Sequence, residues 1–194
     1  MSDETPYCGW APVGDALYRQ YHDTEWGVPE YDPRALWEKL QLDGMQAGLS
    51  WITILRKRES IRAEFDLFDP ERLAGWTPAR VSKALLNPGI IRSAKKIEAV
   101  IGNAQTYLRM MAGGEDFSHY CWEWVGGEPV HGKWTNFRDA PTFTDWSEAM
   151  SKDLKRRGFK FVGPTIVYAW AQAVGMVNDH EVSCPRYREV KENT

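Results

Sequence analysis

Three dipeptides, Asp32-Pro33, Asp69-Pro70 and Thr77-Pro78, each set a capping side chain directly before a proline. Aspartate and threonine accept hydrogen bonds from the unpaired N–H groups of a helix's first turn, and proline suits the first helical position, where no N–H is needed. Strand-like alternation is nearly absent from the chain, so these starts confine it to a mainly helical fold. Further periodicity agrees. From Arg92 to Met111 the apolar residues Ala94, Ile97, Ile101, Ala104, Leu108 and Met111 recur every three or four positions, which marks one face of a long helix stopped by Gly113-Gly114. Trp146, Met150 and Leu154 repeat the pattern in a helix that ends near Gly158, and Pro164 opens the last substantial helix, closed by Gly175. The Gly-, Pro- and polar-rich segment from Gly126 to Thr144 reads as an extended loop or the hinge of a small lobe.

A chain of 194 residues with 43% hydrophobic content buries a full core as one domain or as two interleaved lobes. The acidic start Met1–Pro6 carries no apolar leader segment, which predicts an intracellular, cytoplasmic protein. The apolar run from Phe161 to Val177 is interrupted by Pro164, Gln172 and two glycines and is short for a membrane span, so a buried helix is expected and no membrane. A formal net charge of −3 gives no global sign of a polyanion partner, and any contact with nucleic acid rests on local patches. Three cysteines argue against a disulfide framework. Ten tryptophans spread along the chain are mostly core, with one or two available to line a site.

Three groups of residues carry chemistry. In Leu42-Asp43-Gly44-Met45-Gln46-Ala47-Gly48-Leu49-Ser50-Trp51 a helix begun at Pro33 ends and another, capped by Ser50, begins. Leu36, Leu40 and Leu42 mark the inner face of the first, and Gly44 and Gly48 permit close approach at the corner. Asp43, Gln46 and Trp51 then converge on a cavity suited to a flat, polar-edged ligand; the plainer reading makes Asp43 a solvated or capping residue and Trp51 ordinary core. The second group is Cys8 and His22 near one end with His180 and Cys184, an H-x-x-x-C pair, near the other. Two thiolates and two imidazoles suit tetrahedral zinc, and a closed set of four makes the metal structural; the alternative is buried thiols and surface histidines. Cys121, His119 and His131 read as core or surface residues. The third is Leu85 to Ile97, where a helix from Pro78 to Leu86, a Pro88-Gly89 turn and the long helix form a hairpin. Its backbone N–H groups, beside Arg92, Lys95 and Lys96, make a phosphate site that holds DNA without reading sequence, with Pro88, Gly89, Ile91, Arg92 and Lys95 as the contacting set. An ordinary connection with a solvated basic face is the other reading. Arg56-Lys57-Arg58 and Lys155-Arg156-Arg157 either extend the basic surface or are plain surface.

Taken together, Cys8-Gly9-Trp10, the run Tyr21 to Pro29, Gln46 to Trp51, Gly89 to Arg92, Arg157 to Gly163 and Val177 to His180 closely resemble bacterial 3-methyladenine DNA glycosylase I, over about Cys8 to Cys184. The resemblance implies an all-α, helix-hairpin-helix DNA glycosylase-like fold over 1–194, with the base pocket lying between its lobes if there are two. It implies a structural zinc on Cys8, His22, His180 and Cys184 that ties the terminal segments together. It also implies a monofunctional enzyme, expected to be a monomer, that takes 3-methyladenine from alkylated double-stranded DNA without the superfamily's usual catalytic aspartate. Carried over by motif, the pocket carboxylate is Asp43, the stacking ring Trp51, and the supporting contacts Tyr18, Tyr21 and Gln46. The family commonly has glutamate at the position of Asp43; aspartate keeps the charge and shortens the reach by one methylene. Two other classes use the same parts: a DNA-binding module that releases no base, and a catalytic zinc hydrolase, which needs an open coordination position.

Overall fold

A computed structural model describes residues 7–12 and 14–193; the acidic start Met1–Pro6 lies outside the described residues. Helix α1 (Ala16–Thr24) is capped by Asp15, whose carboxylate accepts from the Tyr18 N–H. The Asp-Pro and Thr-Pro starts open α2 (Pro33–Gln46), α4 (Pro70–Ala74) and α5 (Pro78–Ala84), and in each the capping side chain accepts first-turn N–H groups. Between them α3 runs Trp51–Glu64, and α6 (Ala94–Ala112) is the long helix of the three-and-four pattern. Then come α7 (Phe117–Glu123), α8 (Asp145–Arg157), α9 (Pro164–Ala173) and α10 (Pro185–Glu192). Gly158 ends α8 in the left-handed conformation at φ 113°, where a residue with a Cβ is strained.

Helix α2 is central and packs against α3, α6, α7 and α9. Trp37 on α2 and Trp170 on α9 are fully buried, and their indole N–H groups donate to the Phe68 and Leu36 carbonyls at 2.9 and 3.1 Å. Burial of such side chains, each contributing roughly 1.5–3 kcal/mol, fixes the position of α2 and of the residues at its far end.

The segment from Gly126 to Thr144 is mostly loop, as expected, but it carries one short strand. β1 (Val130–His131) pairs in parallel with β2 (Val177–Asn178), in the register Val130 to Val177 and His131 to Asn178. This two-rung ladder pins the loop to the segment that carries His180. Among the described residues, no helix is long and apolar enough to cross a membrane.

Two details of the α2–α3 corner differ from expectation. Ser50 occupies the cap position of α3 but makes no cap hydrogen bond; its hydroxyl is instead 2.8 Å from that of Thr53. Gly44 does permit close approach, since an added Cβ would lie 3.3 Å from the Phe161 carbonyl oxygen. Gly48 has open space around it, and its glycine answers a φ of +78° rather than a close neighbour.

Candidate active site and metal centre

The α2–α3 corner opens into a cavity of about 270 Å³. All five residues expected at a pocket line it: Tyr18 and Tyr21 from α1, Asp43 and Gln46 from the end of α2, and Trp51 from the start of α3. The Tyr21 and Trp51 rings lie with centroids 5.5 Å apart. Asp43 is 2% exposed. Burial pushes its carboxyl up to about 7, against the opposing pull of the Lys39 ammonium one turn earlier. Among the described residues its Oδ2 has no hydrogen-bond partner, nor do the indole N–H groups of Trp51 and Trp10. Unpartnered polar atoms on an aromatic-walled cavity are what a flat ligand with a polar edge would satisfy.

Other lining residues were not singled out from the sequence. Trp10 and Trp26 flank the N-terminal metal-ligand candidates, and that adjacency was the available signal. Phe137, from the 126–144 loop, also lines the cavity, as does Asp179. Its carboxylate accepts from the Trp134 indole (2.7 Å), the Tyr168 hydroxyl (2.7 Å) and the Gln172 amide (2.8 Å). These contacts come from residues far apart in sequence, and no periodicity marks them.

Cys8, His22, His180 and Cys184 are all buried, and their ligand atoms lie within 4.8 Å of one another. Cys8 Sγ is 3.4 Å from His180 Nδ1, and Cys184 Sγ is 3.7 Å from His22 Nε2 and 3.9 Å from His180 Nδ1. Tetrahedral bonds of about 2.3 Å to sulfur and 2.0–2.1 Å to nitrogen would set sulfur and nitrogen roughly 3.5 Å apart, close to these separations. The outward ring nitrogens are already used. His22 Nδ1 donates to the Asp23 carboxylate at 2.7 Å and His180 Nε2 to the Trp26 carbonyl at 3.0 Å, which leaves the inward nitrogens to face the sulfurs. Its hydrogen bond with Cys8, and those with His180 and His22, draw Cys184 strongly toward thiolate. The four residues can hold a metal ion, and their donor set fits one.

The hairpin joins α5 to α6 and is braced against α3. Lys57 Nζ donates to the Pro88 carbonyl at 2.6 Å, and the Asn87 amide donates to Glu64 at 2.5 Å. Pro88, Arg92 and Lys95 are exposed, Gly89 and Ile91 partly so, and neither Arg92 nor Lys95 enters an ion pair among the described residues. Lys96 departs from the expected basic face. Its ammonium turns inward and donates to the carbonyls of Met45 and Ala47, at 2.8 and 2.7 Å, tying α6 to the end of α2. The arginines of the two basic runs are largely neutralised: Arg56 pairs with Asp15, Arg58 with Glu25, Arg156 with Asp153, and Arg157 with Asp153 and Glu115. Cys121 is core, and His119 is on the surface beside Glu123.

Residues 10–187 match the model of the methyladenine glycosylase family. The chain belongs to that family. It is 50% identical to DNA-3-methyladenine glycosylase 1 of Escherichia coli (strain K12) over 180 residues, 93% of this chain and 96% of the relative. A crystal structure of 3-methyladenine DNA glycosylase I superposes with a TM-score of 0.91 at 49% identity, covering 93% of this chain and 98% of that one. A second, of a tyrosine variant of 3-methyladenine DNA glycosylase I in complex with 3-methyladenine, superposes at 0.87 with 38% identity, covering 92% and 96%. The mostly helical architecture is thus that of the methyladenine glycosylases.

Proposed function

We propose that this member of the family is a base-excision repair glycosylase that flips a damaged nucleotide out of alkylated double-stranded DNA and hydrolytically releases 3-methyladenine, with no strand cleavage. The observation that carries the reading is the buried Asp43 carboxylate, with an unpartnered oxygen, beside the Trp51 ring in the α2–α3 cavity. Methylation at N3 makes adenine cationic. A carboxylate pairs with such a base, and an indole face attracts it by about 0.5–2 kcal/mol; unmodified adenine lacks the charge. Tyr21, Tyr18 and Gln46 complete the contacts. Flipping costs a few kcal/mol, least for a damaged pair, while the Pro88-Gly89 turn, Ile91, Arg92 and Lys95 hold the flanking backbone.

The reaction needs little acid catalysis. The C1′–N9 bond breaks with its electron pair going to the base, which leaves neutral. Water adds to the oxocarbenium-like sugar at C1′ and loses a proton to solvent. Among the described residues no lysine lines the cavity, which supports a mechanism without an amine nucleophile at C1′; borohydride trapping of a covalent adduct on substrate DNA would contradict this.

The metal held by Cys8, His22, His180 and Cys184 is proposed to be zinc, structural because four protein ligands leave no position for water. The protein is taken to act as a cytoplasmic monomer.

The test is base release from methylated DNA, resolved by chromatography into 3-methyladenine, 3-methylguanine and 7-methylguanine. Selective release of 3-methyladenine is expected, reduced at least tenfold in Asp43→Asn and largely retained in Asp43→Glu, tenfold being about 1.4 kcal/mol of lost transition-state stabilisation. A folded, DNA-binding protein that releases no base would instead be a family member that has lost the chemistry.

A further inference from the structure

Lys39 lies one helical turn before Asp43 on α2, so the two side chains leave the same face of the helix. Its Nζ donates to the Tyr21 hydroxyl at 3.2 Å and lies 4.5 Å from the centroids of both the Tyr21 and the Trp51 rings. Those two rings line the base cavity while Lys39 lines a different, charged cleft with Glu25, Glu38, Arg58 and Arg62. The rings therefore stand between the ammonium and the cavity.

The charges facing Lys39 come from three helices and their ends. Tyr21 belongs to α1 and Glu25 caps its end, Glu38 and Asp43 belong to α2, and Arg58 belongs to α3. Arg58 holds Glu25 with two hydrogen bonds, of 2.5 and 2.9 Å, and Arg62 holds Glu38 at 2.9 Å. The cleft's two nearby carboxylates already have cations. Asp43 has no ion pair among the described residues, and Lys39 is the cation that acts on it. Burial draws the Lys39 ammonium down to about 8, against the pull of Asp43 and Glu25. At neutral pH it is still mostly charged.

We propose that Lys39 is a positioning residue for base recognition, fixing the Tyr21 and Trp51 rings from behind and keeping Asp43 in the anionic form that a cationic base requires. The inference rests on reading the cavity as the site of a cationic methylated base. A neutral side chain of similar length would still pack behind the rings, yet it would leave Asp43 to be protonated at a higher pH. Arginine would keep the charge. Because N3-methylated adenine in DNA is a fixed cation around neutrality, the acid limb of excision reports the enzyme's carboxyl rather than the substrate.

Two readouts on wild type, Lys39→Met and Lys39→Arg test this. One is the titration of the Asp43 13Cγ resonance; the other is single-turnover release of 3-methyladenine from methylated DNA between about pH 5.5 and 9. Lys39→Met is expected to move the Asp43 midpoint and the acid limb upward together by about one pH unit, the effect of losing a nearby opposite charge. Release at pH 7 then falls about fivefold while the plateau at higher pH is largely kept. Lys39→Arg should restore the wild-type midpoint. An equal loss of rate at every pH, with the Asp43 resonance unmoved, marks a packing role alone and overturns the proposal. If the Asp43 midpoint moves but even the wild type releases no base, the glycosylase reading fails while the control of Asp43's charge by Lys39 stands.

Discussion

At Asp43 the fold buries a carboxylate, leaves one oxygen without a partner and raises the group from 3.8 to about 7. The sign of the consequence for stability follows directly. Between these values the folded protein binds the proton and the unfolded chain does not, so the residue's contribution falls as pH rises from about 4 to about 7 and stays low above it. A buried, ionised aspartate thus costs stability under the conditions where the proposed recognition of a cationic base requires it. Replacing it with asparagine removes the charge at nearly constant volume. Asp43→Asn is expected to stabilise the protein at pH 8 by on the order of 2–4 kcal/mol, with most of that gain absent near pH 5, where the wild-type carboxyl is already protonated. Urea unfolding at the two pH values checks it. A variant no more stable at pH 8 than the wild type would mean that the carboxylate is solvated or paired in solution. A more stable but inactive variant is the pattern of a residue retained for ligand binding.

Helix α3 joins the cavity to the hairpin: Trp51 at its start stands in the cavity, while Lys57, Ser60 and Glu64 along its length brace the hairpin or lie against it. The distance is fixed by a rigid rod, since fourteen helical residues span about 20 Å. Gly89 is the tightest point of that contact. A Cβ there would lie 2.0 Å from Ser60 Oγ and 3.1 Å from Ser60 Cβ. Gly89→Ala is therefore expected to cost about 1–3 kcal/mol of stability and to weaken DNA binding by tenfold or more, about 1.4 kcal/mol, while free 3-methyladenine still binds. Ser60→Ala in the same chain removes the nearest atom and recovers part of the loss. Calorimetric base binding beside DNA titrations separates the two effects; equal loss of both would put the hairpin and the cavity on one cooperative unit. Helices were legible from sequence where cap chemistry or a long apolar stripe announced them, as at Asp32-Pro33 and along Ala94–Ala112. Helices α1 and α7 were not, being short and begun by Asp15 and Asp116 with no proline behind them. The start of α10 at Cys184-Pro185 was not legible either, because cysteine is no usual capping residue and Cys184 makes no side-chain cap hydrogen bond. Lys96 was misplaced for a physical reason: a lysine beside a helix start reads as solvated unless one knows that two carbonyls from the end of α2 stand within its reach.

At the scale of the whole molecule, the Cys8–His22–His180–Cys184 cluster and the α2–α3 cavity share a wall. Trp10 lines the cavity and its ring lies 5.3 Å from that of His22; Trp26 also lines it and lies 4.6 Å from His180. Glu181, next to His180, accepts from the backbone N–H groups of Gly9 (3.0 Å) and Phe137 (2.9 Å), which joins both terminal segments to the loop that supplies another lining ring. A cavity residue such as Phe137 was invisible in the sequence because this junction, and not a motif, brings it there; Asp179 lay inside the Val177 to His180 motif, but its place on the cavity depends on Trp134, Tyr168 and Gln172, which no motif marks. The cluster also closes nearly the full length of the chain, with Cys8 and His180 172 residues apart. A metal bound there only in the folded chain would stabilise it through its binding free energy, by fastening segments that are far apart in sequence. Cys8→Ala is expected to lose one equivalent of metal and to lower the melting temperature by roughly 5–15 °C, for about 2–4 kcal/mol lost in a domain of this size. The far-UV circular dichroism should stay helical, because α2, α6 and α9 pack without the cluster. Free 3-methyladenine should nevertheless bind at least tenfold more weakly, about 1.4 kcal/mol, since Trp10, Trp26 and Phe137 are no longer held in place. Metal analysis, thermal melts and calorimetric titration on the same sample give the three readings. An unchanged base affinity in a protein that has lost its metal would confine the cluster to fastening the termini and detach it from the shape of the cavity.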